Sequence, residues 1–228
     1  GAKFGNGSPS AQNSAPYGGA ISIKTGLLNI SNSDFTVNSA DLYGGAIYST
    51  GTLSFGDGVT FSGNTAVNGG AVCISEDGTI SGSSSPITFS RNSATYGGAV
   101  YSVSGSSINL LTYADFLNNS AAYGGAIFIA GEHSQSTFVL DSTRHYSFSG
   151  NTALSDGGAV YTMNADILVD GLDVNGASNS AGEGGGFLRS GGNIIIRASS
   201  FSGQRAKFGG AVYSVGDATI TNSDFSGN

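Results

Sequence analysis

Apolar, β-branched and aromatic residues occur along the chain in short stretches, such as Ala99-Val100-Tyr101-Ser102-Val103, Ile194-Ile195-Ile196 and Thr219-Ile220-Thr221, each bounded by Gly, Asn, Asp or Ser. Stretches of three to five such residues between turn formers predict strands, and no segment carries the longer three-to-four spacing of a helix face. The stretches also recur. Gly-Gly-Ala followed by Ile or Val begins at Gly18, Gly44, Gly69, Gly97, Gly124, Gly157 and Gly209, with a degenerate Gly-Gly-Gly-Phe at Gly184. Successive starts lie 26, 25, 28, 27, 33, 27 and 25 residues apart. A second motif, Phe-x-x-Asn, precedes five of these copies at Phe35/Asn38, Phe61/Asn64, Phe89/Asn92, Phe116/Asn119 and Phe148/Asn151, and a last one stands at Phe225/Asn228.

A fixed period of about 27 residues, with glycine pairs and β-branched residues in the unit, accommodates three strands and their turns. The expected fold is all-β: a right-handed parallel β-helix of about eight to nine coils, in one domain over 1–228, with equivalent residues stacked about 4.8 Å apart. In that geometry Phe35, Phe61, Phe89, Phe116 and Phe148 form an interior column, continued by Phe201 and Phe225. Asn38, Asn64, Asn92, Asn119, Asn151 and Asn179, with Gln204 as a longer substitute, form a hydrogen-bonded ladder through the turns. The pairs Gly44-Gly45, Gly69-Gly70, Gly97-Gly98, Gly124-Gly125, Gly157-Gly158 and Gly209-Gly210 serve the bend into the next strand, and Ala keeps that corner narrow. Ile21, Ile47, Val72, Val100, Ile127, Val160 and Val212 face inward, so each following residue faces outward.

Outward positions yield the candidate binding residues. Tyr48, Tyr101, Phe128, Tyr161 and Tyr213 align as one exposed stripe, and Tyr17, Tyr43, Tyr96, Tyr123 and Phe208, just before the glycines, align as a second; such strips receive protein or glycan. The segment Gly131 to Tyr146, inside the unit stretched to 33 residues, is a further candidate surface.

Gly and Ser number 38 and 37 among 228 residues, yet the evenly spaced Phe, Ile, Val and Tyr argue for a packed core rather than disorder. A formal net charge of −7 removes the basic footprint of a nucleic-acid binder or an anionic-membrane binder. No apolar run reaches the length of a membrane span, and the first ten residues lack the pattern of a signal peptide, so direct membrane insertion of this segment is not expected. A single cysteine, Cys73, permits no internal disulfide.

Catalytic signals are sparse. Asp166, Asp170 and Asp173, with Arg189 and Arg197 about one coil onward, are the one charged group that could align as in a polysaccharide-active β-helix, and solvated surface charge explains them more simply. His133 and His145 lack a companion carboxylate motif, and Asp57-Gly58 and Glu76-Asp77-Gly78 are weak ion holders, so neither a metal nor a cofactor is expected.

The ordered pairing of the two motifs, from Asn13 to Asn228, resembles the passenger domain of the chlamydial polymorphic membrane proteins. The resemblance implies an autotransporter, with a signal peptide, a surface-exposed β-helical passenger and a C-terminal outer-membrane barrel, of which this chain is a passenger fragment. It implies adhesion to host cells through the repeated motifs, with a host-cell surface protein or glycan as partner, and recognition by the immune system. A structural or antigenic stalk without a specific ligand is the alternative, and a polysaccharide-active enzyme a more distant one. The chain departs from the pattern where Gly176 stands in place of Phe, where Gln204 replaces Asn, and where Gly186-Phe187 replace Ala-Ile; local irregularity is expected around residues 170 to 190. Ending on Phe-Ser-Gly-Asn within a repeat leaves unpaired strand edges, which predicts end-to-end self-association.

Overall fold

The computed structural model describes residues 1–5, 12–75, 78–82, 85–103, 107–110, 113–131 and 137–228, and among these every regular element is a strand. All strand pairings are parallel, and each joins a strand to its equivalent one repeat away. The result is a β-solenoid of about seven turns, slightly fewer than the period predicts.

Each turn visits three faces. The phenylalanine face includes strands Lys3–Phe4, Ser33–Thr36, Val59–Ser62, Ile87–Ser90, Tyr113–Leu117 and His145–Ser149. The glycine-alanine face is an eight-stranded sheet from Ile21–Ile23 to Val212–Ser214. A third face carries strands such as Leu27–Ile30, Thr52–Phe55, Asp166–Asp170 and Ile194–Arg197. Between the first two faces lies a short corner strand, seen at Ser39–Tyr43, Ser120–Tyr123 and Thr152–Asp156.

The interior is built of columns. Rings of Phe4, Phe35, Phe61, Phe89, Phe116 and Phe148 stack with centroids 4.5 to 5.0 Å apart and planes within 14° of parallel. That spacing equals the strand repeat, so the rings sit offset-parallel at no cost in backbone geometry. Ile47, Val72, Val100, Ile127 and Val160 form the opposing column, essentially without solvent exposure.

Beside the phenylalanines runs the asparagine ladder. The Asn92 side-chain oxygen accepts from the backbone N–H of Asn64 at 2.9 Å and from its Nδ2 at 3.0 Å. Asn92 Nδ2 in turn donates to Asn119 Oδ1 at 3.0 Å and to the Phe61 carbonyl at 3.1 Å. The same arrangement repeats at Asn38, Asn64, Asn119 and Asn151, and Gln204 accepts from Asn179 at 3.2 and 3.0 Å. Every one of these residues from Asn38 to Gln204 is fully buried. The residue before each ladder position takes a left-handed backbone, whether Gly63 (φ 66), Gly150 (φ 65) or, with strain, Val37 (φ 55).

At the next corner the two glycines have separate reasons. Gly97 has φ 65, while a side chain on Gly98 would place its first carbon 2.1 Å from the Gly125 carbonyl oxygen of the next turn.

The degenerate unit is corrected in two respects. Ala159 donates its N–H to the Phe187 carbonyl, and Val160 pairs with Leu188, so the glycine pair here is Gly185-Gly186, one residue later than the sequence alignment placed it. Phe187 therefore stands where other turns have Ala. In the phenylalanine column the position in register with Phe201 is Val174, not Gly176. The two exceptions compensate each other: the Phe187 ring reaches in from the corner and packs on Phe148 at 5.3 Å and on Phe201 at 5.5 Å, filling the space a stacked Phe would occupy. Phe187→Ala is expected to lower stability by about 3–5 kcal/mol. Adding Val174→Phe should recover part of that loss in chemical denaturation, whereas a strictly additive double mutant would mean that the two sites do not share one cavity.

Candidate functional site

The repeated motifs are spent on the interior. Phe35, Asn38, Phe61, Asn64, Phe89, Asn92, Phe116, Asn119, Phe148 and Asn151 are all buried, as are the alanines and the β-branched residues after the glycine pairs from Ala46-Ile47 to Ala159-Val160. Any contact made by this protein therefore goes through residues that the motifs position.

Two aromatic rows occupy the outer side of the corner. Strand register places Tyr48, Cys73, Tyr101, Phe128, Tyr161, Arg189 and Tyr213 in one row. The other holds Tyr17, Tyr43, Asn68, Tyr96, Tyr123 and Asp156, then Gly184 and Phe208. Tyr101, Phe128 and Tyr161 stack at 5.4 and 4.9 Å, and Arg189 lies 4.5 Å over the Tyr161 ring.

The expectation of an exposed first stripe is corrected by this arrangement. Phe128 and Tyr161 are only 3% and 8% exposed, and Tyr48, Tyr101 and Tyr213 are half-buried. Alternation does turn these side chains away from the inner core, but the neighbouring row covers them: Tyr96 meets Phe128 edge-on at 5.2 Å, Tyr123 meets Tyr161 at 5.7 Å, and Tyr43 tilts against Tyr48 at 6.0 Å. The two stripes are one interlocked ridge. Its open side consists of the second row, with Tyr17 and Phe208 exposed and Tyr43, Tyr96 and Tyr123 half-buried.

Burial governs the chemistry of the ridge. Cys73 is enclosed between Tyr48 and Tyr101, and desolvation pushes its thiol well above the ordinary value, which keeps it protonated and unreactive. Desolvation, followed by the proximity of Cys73, Tyr43 and Tyr96, pushes the Tyr101 hydroxyl up to about 12. Tyr161 is also raised, by burial first, against an opposing pull from Arg189.

Sequence reasoning missed the apolar residues flanking the ridge. Leu42, Val67 and Leu154 are exposed along the corner, and Leu154 lines a shallow groove of about 300 Å³ with Ala94, Ala121, Ala122 and Ala153 among others. A signal existed: the ladder asparagine is followed by Ser or Thr and then Ala from Asn13 through Asn179, so the next residues stand at fixed outward positions.

The charged candidates do not converge on one site, and only Asp170 and Arg197 meet. Arg197 approaches Asp170 at 3.6 Å on the third face, both about half exposed. Asp166 accepts from the Asn193 N–H, Asp173 lies beside the phenylalanine column, and Arg189 belongs to the ridge. His145 packs near Tyr113 with ring centroids 5.1 Å apart, while His133, Glu76 and Asp77 lie outside the described residues. Asp57 is exposed in a turn, and no group of three metal-ligating side chains occurs among the described residues.

A family model described as the Chlamydia polymorphic membrane protein repeat matches residues 32–50, 58–75, 86–103 and 146–163. Each match runs from the start of a phenylalanine strand, through the ladder and the glycine pair, to a glycine-alanine strand. The chain carries the repeats of the chlamydial polymorphic membrane proteins. No curated protein and no solved structure matches the chain. The four matches support a polymorphic-membrane-protein passenger region, and that family implies an outer-membrane or surface location.

The ridge yields a pH prediction. Tyr101 stays protonated in the folded chain where an unfolded tyrosine, with its ordinary value of 10, ionises. The contribution of Tyr101 to stability is therefore intact below pH 10 and is lost as pH rises between about 10 and 12. In Tyr101→Phe that fall should be shallower, measured as denaturation midpoint against pH; an unchanged slope would mean that Tyr101 is not desolvated.

Proposed function

We propose that this passenger segment is an adhesin, holding a rigid corner of the solenoid against a host-cell surface protein or glycan outside the bacterium. The observation that carries the proposal is the open side of the aromatic ridge together with the exposed Leu42 and Val67 on adjacent turns and Leu154, 85% exposed, further along the same corner. Exposed apolar residues aligned over several turns, rather than scattered singly, are what a docking partner covers. The inner columns support this role by keeping the strip straight, and the acidic surface suits a protein or neutral-glycan contact better than a polyanion.

A passive stalk is the second reading, favoured by the complete use of the motif side chains in the interior. The two readings separate in one experiment. Leu42→Ser, Val67→Ser and Leu154→Ser are surface changes expected to leave the β-sheet circular dichroism intact. Combined, they should weaken saturable binding of the fragment to host cells roughly tenfold or more. Undiminished binding, or the absence of saturable binding by the unaltered fragment, would favour the stalk.

A further inference from the structure

We infer that a cleft on the phenylalanine face, beside the longest repeat unit, is a binding site for a neutral saccharide. It lies on a different face from the corner strip and stands or falls separately from it. The cleft has a volume of about 320 Å³ and is lined by Tyr113, Asp115, Ser142, Arg144, His145 and Asp173, among others. That volume is at the lower end for small-molecule sites.

Its walls have distinct sources. The extra residues of the unit between Gly124 and Gly157 end in the turn Asp141–Arg144, which leads into strand His145–Ser149. Asp141 accepts from both the N–H and the hydroxyl of Thr143 and forms an ion pair with Arg144, so the turn is tied down and Ser142 and Arg144 are held at the rim. Tyr113 and His145 are register partners on adjacent turns, and their rings lie 5.1 Å apart at 45°.

Asp115 is in register with Ser147 and Thr88, and among the described residues its carboxylate accepts no hydrogen bond. Partial burial holds that carboxyl above its ordinary range, as expected for a half-buried acceptor without a protein donor. Asp173, at the other side of the cleft, already accepts from Ser200 and from the Asn175 N–H through one oxygen.

The cleft thus combines tilted ring faces with carboxylate acceptors. A ligand that fits presents an apolar C–H face to the rings and hydroxyl donors along its edge, which describes a sugar ring. Arg144 is neutralised by Asp141, so Asp115 and Asp173 leave the cleft acidic, which opposes a carboxylate-bearing sugar. A lysine-rich peptide, the other natural donor, presents flexible methylene stems rather than the flat C–H face that the tilted Tyr113 and His145 rings receive.

The test uses saturation-transfer NMR and calorimetry with neutral gluco-, manno- and N-acetylglucosamine oligosaccharides, hexuronate oligosaccharides and an oligolysine peptide. At least one neutral oligosaccharide should bind saturably. Tyr113→Ser and Asp115→Asn should each weaken that binding roughly tenfold or more, with thermal midpoints unchanged, and Leu154→Ser on the corner should leave it intact. Asp115→Asn keeps the shape of the side chain and so separates lost recognition from lost folding. Absence of saccharide binding at millimolar concentration, binding that survives both cleft substitutions, or preferential binding of hexuronates or oligolysine would overturn the assignment. Loss of cell attachment in the corner variants would bear on the adhesin proposal alone.

Discussion

A buried carboxamide in every turn is the constraint on which the rest of the structure depends. Asn92 is enclosed without solvent contact, yet its oxygen takes two donors from the turn before and its nitrogen gives one hydrogen to the turn after and one to a phenylalanine carbonyl. Only a side chain with a carbonyl and an NH₂ on the same short stem satisfies both neighbours, because aspartate lacks the donors and carries a charge costly to bury. Each unsatisfied group in such a turn costs about 1–3 kcal/mol. The ladder thus imposes one asparagine per turn at a constant height, and that register sets Phe above Phe and Gly above Gly.

Because each turn touches only the turns beside it, a departure can be repaired locally. Gln204 shows one repair: the longer amide still accepts from Asn179 and still donates to a strand carbonyl, that of Val174 at 2.7 Å. Phe187 shows another, supplying from the corner the ring missing from the column. In both cases the chemistry needed at a point in space is conserved while the residue that delivers it changes. The same freedom allows the unit holding Asp141–Arg144 to carry extra residues outside the sheet without disturbing the ladder between Asn119 and Asn151.

The period, the phenylalanine column, the glycine corners and the ladder down to Gln204 were legible in the residues, since each recurs at a spacing that has one geometric solution. The one-residue offset at Gly185 was not, because three consecutive glycines offer two equivalent alignments and only the carbonyl of Phe187 distinguishes them. Alternation correctly turned Tyr101 and Phe128 away from the inner core. It could not reveal that Tyr96 from the adjacent corner strand lies over Phe128, since that contact depends on how sharply the glycine pair bends the chain. The cleft near Asp115 was equally invisible, as it joins residues from three successive turns that share no motif.

Side-chain amide exchange followed by ¹⁵N NMR bears most directly on the ladder. The Nδ2 hydrogens of Asn92, tied to Asn119 and to Phe61, should exchange as slowly as the backbone N–H of Phe89, and those of the half-buried Asn68, held by one hydrogen bond to the Leu42 carbonyl, far faster. Exchange of Asn92 as fast as that of Asn68 would contradict a buried, fully bonded carboxamide and the stacking built on it.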